Sequence, residues 1–484
     1  MNAKITTTFP TAALIDGQWV TSTKTFPVLD PATGTKLADV PDLTPDDARR
    51  AVDAAHKAFP AWAAKPAKDR AVILRRWFEL IVAETEALAQ LMTAEQGKPL
   101  TEARGEVAYG ASFVEWFAEE GKRAYGHTIP TTVASRRYVT IKQPIGVCAA
   151  ITPWNFPIAM ITRKVGCALA AGCTIVVKPS EETPLCALAV AKLALDAGVP
   201  PGVFNVITSL DAPGVGKVLT ADDRVRKLTF TGSTEVGKIL YRQSADTIKK
   251  LTLELGGNAP LIVFDDADLS QAIAGTMASK FRNAGQTCVC ANRILVQAGI
   301  FDRFVAALKE AAAKLHVAPG RDPKSTLGPL INADAIDKVK SLLADAVAHG
   351  AKVEMGGKPD AHGPLFFSPT IVTGIETSMA IANEEIFGPV ASLIRFETEE
   401  EAIKIANGTP FGLAAYLFSQ NLSRAWRVAE AIEAGMVGVN EGVFSNEVVP
   451  FGGVKQSGLG REGAQEGLEE YLETKFICLG GISA

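Results

Sequence analysis

Histidine is scarce in this 484-residue chain, and the five that occur are scattered: His56, His127, His316, His349 and His362. None stands at a ligand spacing from cysteine or carboxylate, so no metal site is expected. Cysteine is nearly as sparse. Seven cysteines without regular spacing make no disulfide framework, which fits a reducing compartment. Excess charge is missing too: 49 Lys and Arg against 53 Asp and Glu leave a net charge of −4, with no basic block. Nucleic acid is therefore not an expected partner. Long apolar runs are absent. The best candidate, residues 161–177, is broken by Arg163, Lys164, Gly166 and Gly172, so no membrane span is expected. The first ten residues, Met1 to Pro10, lack the apolar core of a signal peptide and the arginines of a transit peptide, so the cytoplasm is the expected location.

What remains is a globular composition, 47% apolar and 21% charged. A chain this long exceeds one hydrophobic core, so two or three domains are expected. Residues 44–121 are helix-rich. Thr44 stands as N-cap and Pro45 as first helical residue of one amphipathic helix. Residues 68–96 carry Val72, Ile73, Trp77, Leu80 and Ile81 at helical spacing, and a third helix covers 102–119. From Ile145 the period changes. Short β-branched runs at 145–151, 174–178, 204–207, 227–230 and 261–264 alternate with helical stretches. Such alternation implies parallel strands with right-handed crossovers, hence a doubly wound α/β sheet. A second α/β stretch follows to about residue 440, with a strand at 293–297 and helices at 302–315 and 334–349. Residues 134–142 have strand character and read as an excursion that pairs elsewhere.

The chemistry is concentrated in a few places. Cys288 ends Phe281-Arg282-Asn283-Ala284-Gly285-Gln286-Thr287, a polar, glycine-containing segment suited to an accessible nucleophile rather than to core filling. Sulfur attacks as thiolate, so its surroundings must lower the thiol pKa or take the proton. Cys148, Cys167, Cys173 and Cys186, set among aliphatic residues, read as buried core. Glu254 precedes Leu255-Gly256-Gly257, and Asn155 sits in Pro153-Trp154-Asn155-Phe156-Pro157. Nucleophile, carboxylate base and amide donor are the parts of acyl chemistry through a covalent intermediate. Phe230-Thr231-Gly232-Ser233 reads as strand, turn and helix start, a weak phosphate-binding signal with only Gly232 and Gly237 in place of three glycines. Lys178-Pro179-Ser180-Glu181 closes a strand where ligands bind on open sheets, and its lysine and carboxylate suit ribose hydroxyls. Singly, each has a plainer reading: a turn amide, a strand-end charge, a packed glycine, a solvated turn.

Taken together these motifs closely resemble the NAD(P)-dependent aldehyde dehydrogenase superfamily. The match covers nearly the whole chain and adds Glu384-Glu385-Ile386-Phe387-Gly388-Pro389 and Pro450-Phe451-Gly452-Gly453 in the right order. Three further stretches, 160–164, 280–290 and 458–463, are similar to succinate-semialdehyde dehydrogenase. The resemblance implies that the Cys288 thiolate attacks the aldehyde carbon, that the Asn155 amide and the Cys288 N–H hold the oxyanion, and that hydride leaves to a nicotinamide. Glu254 then activates the water that hydrolyses the thioester. It places Thr152, Pro153, Trp154, Lys178, Ser180, Glu181, Gly232, Ser233, Glu385 and Phe387 around the cofactor. Glu181 falls where a 2′-phosphate would lie, and two like charges there repel, so NAD is expected over NADP, with NADP still possible. Arg163, Arg282 and Ser445 would grip a distal substrate carboxylate, arginine because its planar fork meets a carboxylate bidentately. Succinate semialdehyde is the expected substrate. Glutarate semialdehyde and 2-oxoglutarate semialdehyde remain open, since one methylene changes discrimination by only about 1–3 kcal/mol.

Cys290 reads either as a free thiol or as the partner of Cys288 in a regulatory disulfide. An acylating enzyme that passes its thioester to coenzyme A would not need Glu254. A non-catalytic binding or structural protein on the same scaffold would not need the intact triad. The resemblance also implies a cofactor domain of residues 1–122 and 145–254, a catalytic domain of 255–440, an oligomerisation element of 123–144 and 460–484, and a returning segment 441–459. The C-terminal segment would pair with the excursion of another subunit, in a homodimer or a dimer of dimers.

Overall fold

A computed structural model describes residues 9–482. Its helical first third follows from local signals. Thr44 caps α1 (Pro45–Ala64). The Thr44 side chain accepts the Asp47 N–H at 3.3 Å, and the Asp47 carboxylate accepts the Thr44 N–H at 3.0 Å. That capping box, with proline at the first helical position, fixes where the helix starts. The predicted helix over 68–96 is two helices, α2 (Ala67–Ala83) and α3 (Thr85–Gln96), parted at Glu84. Val72 is not on the apolar face: it is 63% exposed, and the buried stripe runs Ala71, Leu74, Trp77, Ile81. One residue is about 100° of helix, enough to turn Val72 off that stripe. Gly97, in the left-handed region at φ 92, closes α3. A Cβ there would stand 2.7 Å from Pro329 Cγ, so glycine is required on both counts. After this turn α4 (Leu100–Glu120) begins.

Five parallel strands form the centre of the first sheet, in the order Phe204–Val206, Thr174–Lys178, Val147–Ile151, Val225–Thr231, Lys250–Glu254. Antiparallel strands Ala13–Ile15 and Gln18–Val20 extend one edge, and Gly458–Leu459 extends the other beside Glu254. Most central-strand residues are buried, as expected for a sheet covered on both faces. One covering helix, α5 (Ala159–Ala171), is buried along its whole length. The second sheet has seven strands, with Ala291–Gln297 between Ala259–Val263 and Val390–Phe396. It is parallel apart from its edge strand Lys352–Met355. The fold is thus α/β, with two sheets in separate hydrophobic cores.

One expectation is corrected. The excursion strand Arg137–Pro144 pairs with the C-terminal strand Leu472–Leu479 of the same chain, not of another subunit. The antiparallel register runs from Pro144↔Leu472 to Arg137↔Leu479. It is set at its inner end, where the Ile145 N–H donates to the Tyr471 carbonyl at 3.0 Å and both Tyr471 and Leu472 are buried in the core. Among the described residues no helix is long and apolar enough to cross a membrane.

Trp77 ties α2 to the first sheet. It is fully buried, its indole N–H donates to the Val190 carbonyl at 3.0 Å, and its ring lies 6.1 Å from that of Phe204. Trp77→Ala should lower stability by about 3–5 kcal/mol, measured as a reduced urea midpoint.

Candidate active site

The crevice between the two sheets opens beyond the carboxyl ends of the first sheet's strands, where ligands bind on such folds. A cavity of about 330 Å³ lies there. One wall is the turn Pro153–Phe156 with Met160, followed by Thr231, Gly232, Ser233, Glu254, Leu255 and Gly256 from the ends of two neighbouring strands. The other wall holds Cys288, Glu385, Ile386 and Phe387, with Asp334, Ala335 and Lys338 from helix Ala333–Ala348. Three residues singled out from distant parts of the sequence, Asn155, Glu254 and Cys288, therefore share one cavity.

The nucleophile segment is not the exposed polar loop its composition suggested. Asn283, Ala284, Gln286 and Thr287 are buried, and Cys288 is half-buried. Polarity is absorbed internally. Gln286 donates to the Asn283 carbonyl at 3.1 Å and the Pro329 carbonyl at 3.3 Å, and accepts the Ile331 N–H at 2.9 Å. The backbone is left-handed at Asn283 (φ 50), Ala284 (φ 54) and Gly285 (φ 77). Alanine with positive φ is strained, and such strain persists only where the surroundings enforce it. Gly285 is enforced by contact: a Cβ would stand 2.2 Å from the Gly388 carbonyl oxygen. Burial, reinforced by the Glu385 carboxylate, pushes the Cys288 thiol up to about 12 despite the pull of Arg163. Of the two routes to a thiolate, the resting site does not take the first; the proton must be removed.

Asn155 is buried, and its side-chain N–H donates to the Gln286 carbonyl at 3.2 Å, tying it to the nucleophile segment. Its Oδ1 has no hydrogen-bond partner. Glu254 ends its strand with neither carboxylate oxygen hydrogen-bonded. Burial, then repulsion from Glu462, raises it well above the usual carboxylate range. A carboxyl held this way takes a proton readily, which is what a base needs.

Of the expected cofactor residues, Pro153, Trp154, Gly232, Ser233, Glu385 and Phe387 line the cavity, whereas Thr152, Lys178, Ser180 and Glu181 do not and lie at the ends of the neighbouring strands. Lys178 is buried and pairs with Glu181 at 2.9 Å. Burial alone would raise Glu181, but the Lys178 ammonium holds it below the usual range. Ser180 is buried, and Ser233 caps helix Thr234–Ser244 beside Gly232. Glu385 accepts the Gly257 N–H at 3.3 Å, and burial lifts it to about 7. Phe387 and Trp154 meet edge to face at 5.5 Å. The buried hydroxyls of Thr152 and Thr231 lack partners, as does Asn155 Oδ1. Unsatisfied polar atoms, a cation and a carboxylate at the carboxyl ends of neighbouring strands fit a polar, hydroxyl-bearing ligand such as a dinucleotide.

Residues 19–477 match the model of a family described as the aldehyde dehydrogenase family. The chain belongs to that family. It is 57% identical to a succinate-semialdehyde dehydrogenase [NADP(+)], GabD, of Escherichia coli, over 98% of each chain. It is 56% identical to a glutarate-semialdehyde dehydrogenase of Pseudomonas aeruginosa over the full length of both. A solved succinate-semialdehyde dehydrogenase of Burkholderia pseudomallei superposes with a TM-score of 0.97 at 57% identity, covering 98% of each chain.

In this aldehyde dehydrogenase the three expected substrate residues do not line the cavity. Arg163 is sealed behind it, 2.6 Å from Glu462 and 4.4 Å over the Phe451 ring. Glu462 also pairs with Lys164 and accepts the Thr229 hydroxyl at 3.0 Å. Burial works against its charge, but Lys164 and Arg163 hold Glu462 down at about 2. Arg282 is half-buried, 5.4 Å over the Phe156 ring, and Ser445 is half-buried in the returning loop. Cys290 is buried, its thiol donating to the Lys280 carbonyl at 3.5 Å. The four cysteines expected in the core are buried, and Cys478 is exposed.

Sequence reading missed Lys338 and Asp334, which look like ordinary helix-surface charges until the helix is placed. It also passed over Glu462, although residues 458–463 had been marked. A charge flanked by glycines in an apparent loop is the signal that could have found it.

A thiol this high is mostly protonated at neutral pH. Alkylation of Cys288 by iodoacetamide in the ligand-free enzyme should accelerate with pH and show no plateau below about pH 10. Mass spectrometry of the Cys288 peptide, separated from the exposed Cys478, checks this.

Proposed function

We propose that this enzyme oxidises succinate semialdehyde to succinate with NAD as the preferred cofactor. The observation that carries the reading is the convergence of Cys288, Asn155 and Glu254 on one cavity whose far wall bears Glu385 and Phe387. The dinucleotide, when bound along Lys178, Ser180, Glu181, Gly232 and Ser233, supplies the hydride acceptor. The protein's own residues do the rest. Glu254 in its ionised form takes the Cys288 proton and releases it to solvent, which frees its carboxylate for the second half of the reaction. The thiolate attacks the aldehyde carbon, and the developing oxyanion is held by the Asn155 side-chain N–H and the Cys288 backbone N–H. Preorganised donors of this kind contribute about 3–4 kcal/mol each to the barrier. After hydride loss leaves a thioester on Cys288, Glu254 takes a proton from water, whose oxygen attacks the acyl carbon and releases the acid. A base in that position is superfluous if coenzyme A receives the acyl group, which disfavours the acylating reading.

The substrate assignment rests on similarity and on charge. Arg163 Nη1 is buried with no hydrogen-bond partner, a donor left over from its contact with Glu462 that supports the anchor reading although the side chain stands behind the cavity wall. Arg282 supplies a second cation near the mouth. The full-length similarity to a glutarate-semialdehyde dehydrogenase supports a second reading, in which a substrate longer by one methylene uses the same anchors. For the cofactor, Glu181 sits beside Lys178 with its side chain 45% exposed, where a 2′-phosphate would meet its charge. The domain bounds given by the resemblance are 1–122 with 145–254 and then 255–440; the second sheet, which runs from Ala259 to Val439, supports the latter, while the first sheet also takes in Gly458–Leu459. The three-stranded sheet of the excursion and the C-terminus presents Phe476, Leu479 and Ile141 to solvent and is the surface for a homodimer or dimer of dimers.

A panel of semialdehydes of increasing length, each with both cofactors and no coenzyme A, tests the proposal through NADH or NADPH absorbance. The four-carbon semialdehyde with NAD should give the highest kcat/KM. A higher value with NADP overturns the cofactor choice, and a higher value with the five-carbon substrate transfers the assignment to glutarate semialdehyde. Arg282→Ala and Arg163→Ala remove charge-assisted contacts of about 1.5–3 kcal/mol. Each should raise KM for succinate semialdehyde about ten- to hundredfold and leave KM for butanal within about twofold. Equal effects on both aldehydes would rule out the anchor role.

A further inference from the structure

Lys98 and Glu106 form a buried ion pair whose position the reaction described above does not use. Their side chains are each 1% exposed. Lys98 is delivered inward by the Gly97 turn, and its own N–H is held by Gln96 Oε1 at 3.0 Å. Its Nζ donates to the backbone carbonyl of Asn155 at 2.8 Å and lies 4.1 Å over the Phe156 ring. The Glu106 Oε2 pairs with Lys98, while Oε1 accepts the N–H groups of Ile158 at 3.0 Å and Ala159 at 3.3 Å, at the start of α5. The pair therefore holds the Asn155 turn from both ends. A second bond reaches the same carbonyl: Asn283 Nδ2 donates to it at 3.1 Å and to the Gln286 carbonyl at 3.2 Å. The amide of Asn155 is thus aimed by main-chain bonds to residues far away in sequence. Removing any of them leaves its side chain in place but frees the turn that points it.

We propose that Lys98 and Glu106 are positioning residues for the oxyanion site, acting on the reaction through Asn155. This rests on the oxyanion role given to Asn155 above. A buried ion pair retained only for the fold would be replaceable by an apolar pair of similar volume. A pair that aims a catalytic amide is not, because displacing a reacting group by about 1 Å costs on the order of a hundredfold in rate.

The test is a double-mutant cycle on the full-length enzyme with succinate semialdehyde and NAD, with NAD affinity and thermal midpoint measured alongside. Lys98→Met should lower kcat by about tenfold or more, leaving KM for the aldehyde and Kd for NAD within about twofold. In the Asn155→Ala background the same change should cost less than about twofold, since the group it aims is gone. Glu106→Gln, which keeps the acceptor for α5, should show the same pattern at smaller amplitude and serves if Lys98→Met does not fold. The same factor lost in both backgrounds, or a fall in NAD affinity matching the fall in rate, makes the pair structural and overturns the proposal. So does full activity in Glu106→Gln. If Asn155→Ala itself keeps full activity, the oxyanion reading fails and this proposal with it. An impaired Asn155→Ala beside an unimpaired Lys98→Met sinks the pair alone.

Discussion

The carbonyl oxygen of Asn155 accepts from Lys98 Nζ and from Asn283 Nδ2, and that junction holds the two halves of the crevice in register. Asn155 belongs to the turn that leaves the first sheet; Asn283 belongs to the segment that carries the nucleophile in the second. Neither turn is stiff by itself. The 283–285 backbone is left-handed at three successive residues, a conformation that isolated chain would abandon. The cross-bonds among Asn155, Asn283 and Gln286, all buried, hold that strain in place. The active site is consequently a property of the seam, not of either sheet.

Electrostatics at that seam follow from burial. Cys288 and Glu254 sit in a low-dielectric crevice that disfavours charge on either, so burial raises both groups. Glu462 is the contrast. Nearly as buried, it is charged because Lys164 and Arg163 face it directly. Two carboxyls in one neighbourhood are thus pushed to opposite ends of the scale by their partners. The charge on Glu462 is itself a cause of Glu254's high value, so the fixed ion pair tunes the reactive group.

Much of this was legible in sequence, and for physical reasons. The strands at 147–151 and 174–178 announce themselves because buried parallel strands are continuous β-branched runs, and the Thr44–Pro45 start because capping is local chemistry. The α2–α3 break at Glu84 was not legible: no proline or glycine marks it, and tertiary packing decides it. Cys288, Glu254 and Asn155 could be named because each stands in an unusual short motif, whereas Lys98 stands in a short inter-helix turn and Glu106 in ordinary helical sequence, and they become special only when α4 crosses α5. The high thiol value was likewise invisible, since polar residues in a segment do not disclose that they hydrogen-bond one another and exclude solvent. The C-terminal pairing was misassigned for a related reason. A strand's sequence states that it wants a partner, and only the path of the chain says which.

That path also explains why the C-terminal return matters to chemistry. Gly458–Leu459 adds to the first sheet directly opposite Leu253 and Glu254, and Glu462 follows a few residues later. The Leu255 N–H donates to the Ser457 carbonyl at 2.9 Å, and the Ser457 hydroxyl donates to the Gly256 carbonyl at 2.8 Å. Glu254 and Glu462 are therefore fixed relative to one another by a short antiparallel ladder. The same return continues into the strand that closes on residues 137–144.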